Sequence, residues 1–191
     1  MESFKSLLAA LILLCSAAES VAAAFPLDQL MQRLSRIDTL QVHFQEQKTL
    51  VLLEVPLTQS GTLTYRAPDY LKKQVEKPRY SLLEIEANRL HTLDGEEERN
   101  FSLDRHPALR AFTEAYRSTL AGDRATLERY YKIQPSGTLE DWQLLLLPKT
   151  DAVRKFIRHI RLSGTSSSIN SVETLKTSGD SSLMTIFNRA Q

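Results

Sequence analysis

The chain has 191 residues, which fits one domain once a leader is removed. Its 24 Lys+Arg against 23 Asp+Glu leave a formal charge of +1, and a nucleic-acid binder would carry a basic surplus or patch. The single cysteine, Cys15, falls in the leader, so a mature chain would hold no disulfide, thiolate metal site or cysteine nucleophile.

Residues 1–24 read as a cleaved signal peptide. Lys5 supplies the positive start, and the apolar run 7–18 is too short for a comfortable membrane span. Small residues at 22–24 place the cut after Ala23 or Ala24. Leu14 before Cys15 is not the small residue that a lipoprotein signal requires. The remaining residues, 25–191, show no linker and no repeat beyond a succession of hairpins, and read as one exported domain.

Leu27, Leu30, Met31, Leu34 and Ile37 recur at helical spacing and predict an amphipathic helix of about three turns. Pro26 suits its entry, and Asp28 places a negative charge in its first turn. Such a helix either lies on a sheet or closes one mouth of a cavity. Leu40, Val42 and Phe44 then alternate with polar residues, predicting a strand that begins soon after Asp38 and runs to about Leu53. Glu46 and Lys48 share the Phe44 face, so they are either at a wet strand end or paired.

Residues 55–78 form the organising hairpin. Leu57, Gly61, Leu63 and Tyr65 share one face of its first strand; Leu71, Lys73 and Val75 share a face of the second. Ala67-Pro68-Asp69 is the turn, because proline cannot donate to a ladder. Gly61 inside a strand predicts a bulge or a close backbone approach. Residues 80–87 and 89–93 read as another strand pair, followed by the Asp94-Gly95 turn, an acidic solvated loop at Glu96-Glu97-Glu98, and a short strand at 100–103.

Pro107 opens a second helix, whose stripe is Leu109, Phe112, Tyr116 and Leu120 and whose end is Gly122. Asp123 caps a short helix after it. The uninterrupted run 144–147 predicts a strand buried on both faces or bent between two environments. A strand over 156–162, with Phe156, Ile160 and Leu162 on one face, leads to a serine-rich surface turn at 163–168. A closing hairpin turns at Ser178-Gly179-Asp180. An enzyme reading finds little here: no nucleophile elbow, no paired histidines, and only Asp104 and His106 beside Pro107. The expectation is therefore a non-enzymatic binding protein with no catalytic residue, metal or cofactor. A sensor or interaction module is a third class.

The order of these elements resembles the LolA-like family of periplasmic outer-membrane lipoprotein carriers. The resemblance rests on Phe44-x-Glu46-x-Lys48, the SGTLTY run from Ser60, Ala67-Pro68-Asp69, Leu120-Ala121-Gly122-Asp123, Trp142-x-Leu144-x-Leu146-x-Pro148 and Gly179-Asp180. The sequence is most similar to the divergent branch associated with aryl polyene-type lipid biosynthesis. The resemblance implies an α+β fold: a strongly curved antiparallel sheet, an incomplete β-barrel, with helices covering its concave face. It also implies a periplasmic monomer that carries a lipid or acylated cargo between an inner-membrane donor and an outer-membrane acceptor. In the lipoprotein carriers an arginine directly before the hairpin proline holds the lid. Ala67 stands there instead, with Arg66 one step earlier and therefore on the other face.

The inward apolar positions are the candidate lipid contacts, though each serves core packing as readily. On the first strands these are Phe44, Leu63, Tyr65, Leu71 and Val75, then Leu83, Ile85, Leu90 and Phe101. On the later strands they are Leu144, Leu146, Ile160, Met184 and Ile186. From the helical lid come Leu109, Phe112 and Tyr116.

Overall fold

The computed structural model describes residues 25–188, so the signal peptide read over residues 1–24, with Cys15, lies outside the described residues. Helix α1 (Leu27–Leu34) follows Pro26 and buries Leu27, Leu30, Met31 and Leu34. It has eight residues, about two turns rather than three. Ile37 lies beyond its end and still packs against the same core.

Eleven antiparallel strands form one sheet. The first six are β1 (Thr39–Thr49), β2 (Leu57–Arg66), β3 (Tyr70–Lys77), β4 (Ser81–Glu86), β5 (Arg89–Asp94) and β6 (Glu97–Ser102). The remainder are β7 (Tyr131–Gly137), β8 (Trp142–Pro148), β9 (Ile157–Thr165), β10 (Ser168–Lys176) and β11 (Ser181–Phe187). The order β6-β5-β4-β3-β2-β1-β11-β10-β9-β8-β7 makes two meanders, joined where β1 pairs with β11. The edge strands β6 and β7 do not pair, so the sheet is not a closed barrel. The chain between them forms α2 (Pro107–Leu120) and α3 (Arg124–Tyr130). The helices thus bridge the two free edges across the concave face.

Local chemistry explains the helix ends. Pro107 occupies the first turn of α2, where its missing N–H has no partner to lose. Gly122, at φ 64°, ends the helix, and a Cβ there would lie 2.1 Å from the Met31 carbonyl of α1. Asp123 caps α3 by accepting from the Thr126 N–H at 2.9 Å.

Several boundaries differ from the sequence reading. β1 stops at Thr49, because the apolar run that follows it is an exposed loop. β6 already starts at Glu97, so two of the three acidic residues lie in an edge strand, where charge discourages further pairing. β8 is not buried equally on both faces: Leu144 and Leu146 are fully buried, while Leu145 and Leu147 are half-buried. A short helix, α4 (Asp151–Arg154), precedes β9 and leaves Phe156 outside the strand, 60% exposed. A register shift between Leu175 and Lys176 then turns Ile157 inward in its place. The serine-rich stretch is two strand ends around a tight turn, with Ser166 at φ 51°.

Two buried clusters organise the interior. The larger joins α1, the inner faces of α2 and α3, and β7 to β11, with Phe44 of β1 and Val75 of β3. The smaller holds Ile85, Leu90 and Leu103, with Leu71, Leu83, Phe101 and Leu109 packed against it. Between the clusters the concave face is not filled.

Candidate functional site

A chamber of about 570 Å³ lies between the concave face of the sheet and α2. That size falls within the roughly 300–1,000 Å³ usual for small-molecule sites. Its roof is the stripe Leu109, Phe112, Thr113, Tyr116 and Leu120 of α2. The opposite side of α2 is committed to the core: Ala111 and Ala115 are fully buried, and the Tyr131 hydroxyl donates to the Ala111 carbonyl at 3.0 Å. Helical periodicity therefore gives α2 two apolar faces, one packed and one looking into the chamber.

The sheet supplies the floor. Of the positions singled out in the sequence, Leu63, Tyr65, Leu71, Leu83, Ile85 and Leu90 line it on the β2–β5 side. Met184 and Ile186 line it from β11, and Leu109, Phe112 and Tyr116 from the roof. The remaining candidates sit elsewhere. Phe44, Val75, Leu144, Leu146 and Ile160 are buried in the larger core cluster. Phe101 packs on the smaller cluster, its ring edge-on to His106 at 5.5 Å. All six have inward-facing parity, but the structure covers them with packed side chains rather than open space. Strand alternation names the face and not what covers it.

Residues beyond the candidates complete the wall. Leu40, Val42, Leu57, Leu162, Ile169 and Val172 add apolar surface. Their alternation was visible in the sequence, yet nothing marked them apart from core. Glu46, Lys48 and Lys73 add charge. Glu46 is paired, which resolves the choice left open by its place on the Phe44 face. Lys73 Nζ donates to its Oε2 at 2.5 Å, Gln59 Nε2 donates to the same oxygen, and Lys48 Nζ stands 3.8 Å away. Burial alone would push the Glu46 carboxyl up, but Lys73, Lys48 and Gln59 together hold it below the usual value. Burial lowers Lys73 against the opposing pull of Glu46. Its ammonium also lies 4.9 Å from the centre of the Phe44 ring.

Tyr116 and Tyr65 are the polar marks on the deeper wall. Burial raises the Tyr116 hydroxyl to about 12, and its oxygen lies 3.5 Å from Thr174 Oγ1 of β10. Tyr65 Oη is buried and has no hydrogen-bond partner.

The roof is fastened at one end. Arg117 Nη1 donates to the Ala87 carbonyl at 2.8 Å and its guanidinium pairs with Glu114, while Arg110 Nη2 donates to Asn88 Oδ1 at 2.6 Å and pairs with Asp104. Both arginines tie α2 to the β4–β5 turn. Asp104, half of the weak Asp104–His106 pair, is engaged in this fastening. Arg66 takes no part in it: its guanidinium stacks 3.8 Å over the Tyr70 ring. Helix α1 packs into the larger core cluster and supplies none of the chamber wall.

At the opposite end the wall includes Lys48, Leu50, Leu57, Lys176 and Asp180. Here the loop between β1 and β2 projects outward. Val51, Leu52, Leu53 and Val55 are exposed, Leu52 to 95%. The Val51 N–H donates to Asp180 Oδ1 at 3.0 Å, which seats the loop on the β10–β11 turn. An apolar chamber therefore has a greasy lip at its mouth. Among the described residues no cluster of three or more His, Cys, Asp or Glu could hold a metal, and no helix is long and apolar enough to cross a membrane.

Residues 17–190 match the family model described as outer membrane lipoprotein carrier protein LolA-like. Similar solved structures include a LolA superfamily protein from Nitrosomonas europaea, 11% identical, covering 85% of this chain and 93% of that one with a TM-score of 0.45. The lipoprotein LppX of Mycobacterium tuberculosis is 12% identical over 86% of this chain and 96% of its own, with a TM-score of 0.44. An outer membrane lipoprotein-sorting protein domain from Vibrio parahaemolyticus is 8% identical over 84% and 90%, with a TM-score of 0.45. Comparison with curated proteins finds no match.

Proposed function

Because the chain belongs to the LolA-like family of outer membrane lipoprotein carrier proteins, we propose that it holds the acyl part of a lipid or lipidated molecule in the chamber under α2 and carries it through the periplasm towards the outer membrane. One observation carries this reading: a chamber of about 570 Å³, walled mainly by apolar side chains, is left open inside a sheet that has side chains enough to fill it elsewhere. Each methylene moved from water into such a chamber contributes about 0.8 kcal/mol. A carrier must gain enough to extract a chain from one membrane and still release it at the next. The candidate contacts on this reading are Leu63, Leu71, Leu83 and Leu90 on the floor and Leu109, Phe112 and Tyr116 on the roof.

The mature form is residues 25–191, exported as a monomer after cleavage at Ala23 or Ala24 and working between membrane-bound donor and acceptor proteins. The cargo on this reading is a free lipid, as in the branch associated with aryl polyene-type lipids. The supporting observation is Ala67, where the lipoprotein carriers have the lid arginine, together with Arg66 stacked on Tyr70. The apolar loop 51–55 is the part that meets the bilayer while cargo passes the mouth. The test is transfer of a fluorescent acyl lipid from donor to acceptor vesicles. The mature protein should accelerate it at substoichiometric amounts; transfer at the spontaneous rate would refute the carrier role.

A further inference from the structure

Charge inside an apolar chamber needs a reason. A container for plain hydrocarbon has no use for Glu46, Lys48 and Lys73, because a buried ion loses hydration that only close pairing offsets. Glu46 is well satisfied, accepting from Lys73 and Gln59 with Lys48 nearby. The lysines are not. Two ammonium groups share one carboxylate, so the cluster carries one net positive charge. Lys73 has three N–H groups, of which one reaches Glu46 and another faces the Phe44 ring. Donor capacity remains on the side that borders the chamber.

The position of the cluster matters as well. Lys48 pairs in register with Leu57 and Ser182, at the mouth end of the sheet. Tyr65, Leu71, Leu90 and Leu109 line the far end, beneath the fastened part of α2. A molecule with its head at the lysines would lay its tail along mainly apolar wall.

We propose that Lys73 and Lys48 are the seat of a single anionic oxyacid head, a carboxylate or a phosphate, so that the cargo is an anionic amphiphile rather than a neutral glyceride or a cationic lipid. This rests on the carrier reading and narrows its substrate class. The incoming head takes the free donors of Lys73 and Lys48 while Glu46 keeps its own bonds, and a singly charged head brings the net charge of the group to zero.

The experiment is displacement of the neutral fluorophore N-phenyl-1-naphthylamine from the mature protein by amphiphiles of one chain length: laurate, lauryl phosphate, monolaurin and lauryltrimethylammonium. Laurate or lauryl phosphate should displace the probe roughly tenfold more tightly than monolaurin, the scale of one hydrogen bond to a charged group. Which of the two anions wins names the source of the head. The variant Lys48→Met leaves the close Glu46–Lys73 pair intact and touches a half-exposed side chain, so it should fold and lose most of that preference. Equal affinity for all heads overturns the inference and leaves the carrier reading standing. A preference that survives Lys48→Met, and also survives in a folded double variant Glu46→Met/Lys73→Met, overturns the assignment to this cluster. Failure of every amphiphile to displace the probe, or of the probe to bind, overturns the carrier reading itself.

Discussion

Lys73 Nζ lies 2.5 Å from Glu46 Oε2, although β1 and β3 do not pair with each other. β2 runs between them, and the bridge crosses it between Gln59 and Leu63, with Gly61 between those two positions. The Glu46 side chain is 8% exposed and that of Lys73 23%. Removing Lys73 leaves the buried Glu46 carboxylate with only the more distant and more exposed Lys48 as counter-ion. Lys73→Met should therefore destabilise the protein by about 3 kcal/mol or more in urea unfolding, whereas Glu46→Met/Lys73→Met should recover most of the loss. A double variant as unstable as the single one would mean that the pair itself supplies net stability.

The same contact makes stability depend on acid. The Glu46 carboxyl is held below its ordinary value of 4.5, so the folded state binds its proton less readily than the unfolded state. Its contribution is then fully present above pH 4.5 and is lost as pH falls through the lower folded value. Urea midpoints of the wild type should drop across that window. Those of Glu46→Met/Lys73→Met should drop less; parallel curves would contradict the assignment.

Wall and core should separate cleanly under mutation. Leu71→Glu places a carboxylate at the apolar chamber, and acyl-probe affinity should fall more than tenfold with a smaller loss of melting temperature than a fully packed position would show, since Leu71 packs on the smaller cluster on one side and its replacement can hydrate into the empty chamber on the other. Leu144→Ala removes packed core and should cost about 2–5 kcal/mol while affinity per folded molecule stays unchanged. Both quantities are read from one probe titration and one melt per variant.

How much of this was legible in the sequence follows from what periodicity encodes. The alternation around Leu63 and Tyr65, and the stripe of α2, placed side chains on faces. They could not tell Leu63, which borders open space, from Phe44, which is packed, because that depends on where α2 crosses the sheet. Glu46 and Lys73 were each visible as charges on apolar faces, but their meeting spans a third strand and leaves no local trace. Phe156 was misplaced because a four-residue helix has too few residues to show a period, and the shift between Leu175 and Lys176 breaks strand parity.

Gly61 is the clearest case of a sequence signal with a structural cause. A register shift lies between Ser60 and Gly61, and a Cβ at Gly61 would sit 1.9 Å from the Gln74 carbonyl oxygen of β3. That oxygen is backbone and cannot step aside. Gly61→Ala should destabilise by more than about 2 kcal/mol, measured by thermal or urea unfolding, from strain rather than lost contacts. A neutral substitution would show that β3 can move away from β2 here.

The lip of the chamber allows a test separate from affinity. Leu52 is almost fully exposed, so Leu52→Glu should leave both the melting temperature and the solution affinity for an acyl probe unchanged. Transfer of the same lipid between vesicles should slow several-fold, because a charged loop is disfavoured at the bilayer surface. Unchanged transfer would remove the loop from the loading step.

The central claim is that the space under α2 holds an acyl chain. The direct measurement is native mass spectrometry, with lipid extraction, of the protein purified from its host without detergent. The account predicts an adduct whose extract contains an acylated or polyene molecule, and predicts its loss in folded Leu71→Glu. A clean apo mass, in a protein that also refuses added acyl probes, would contradict the carrier function.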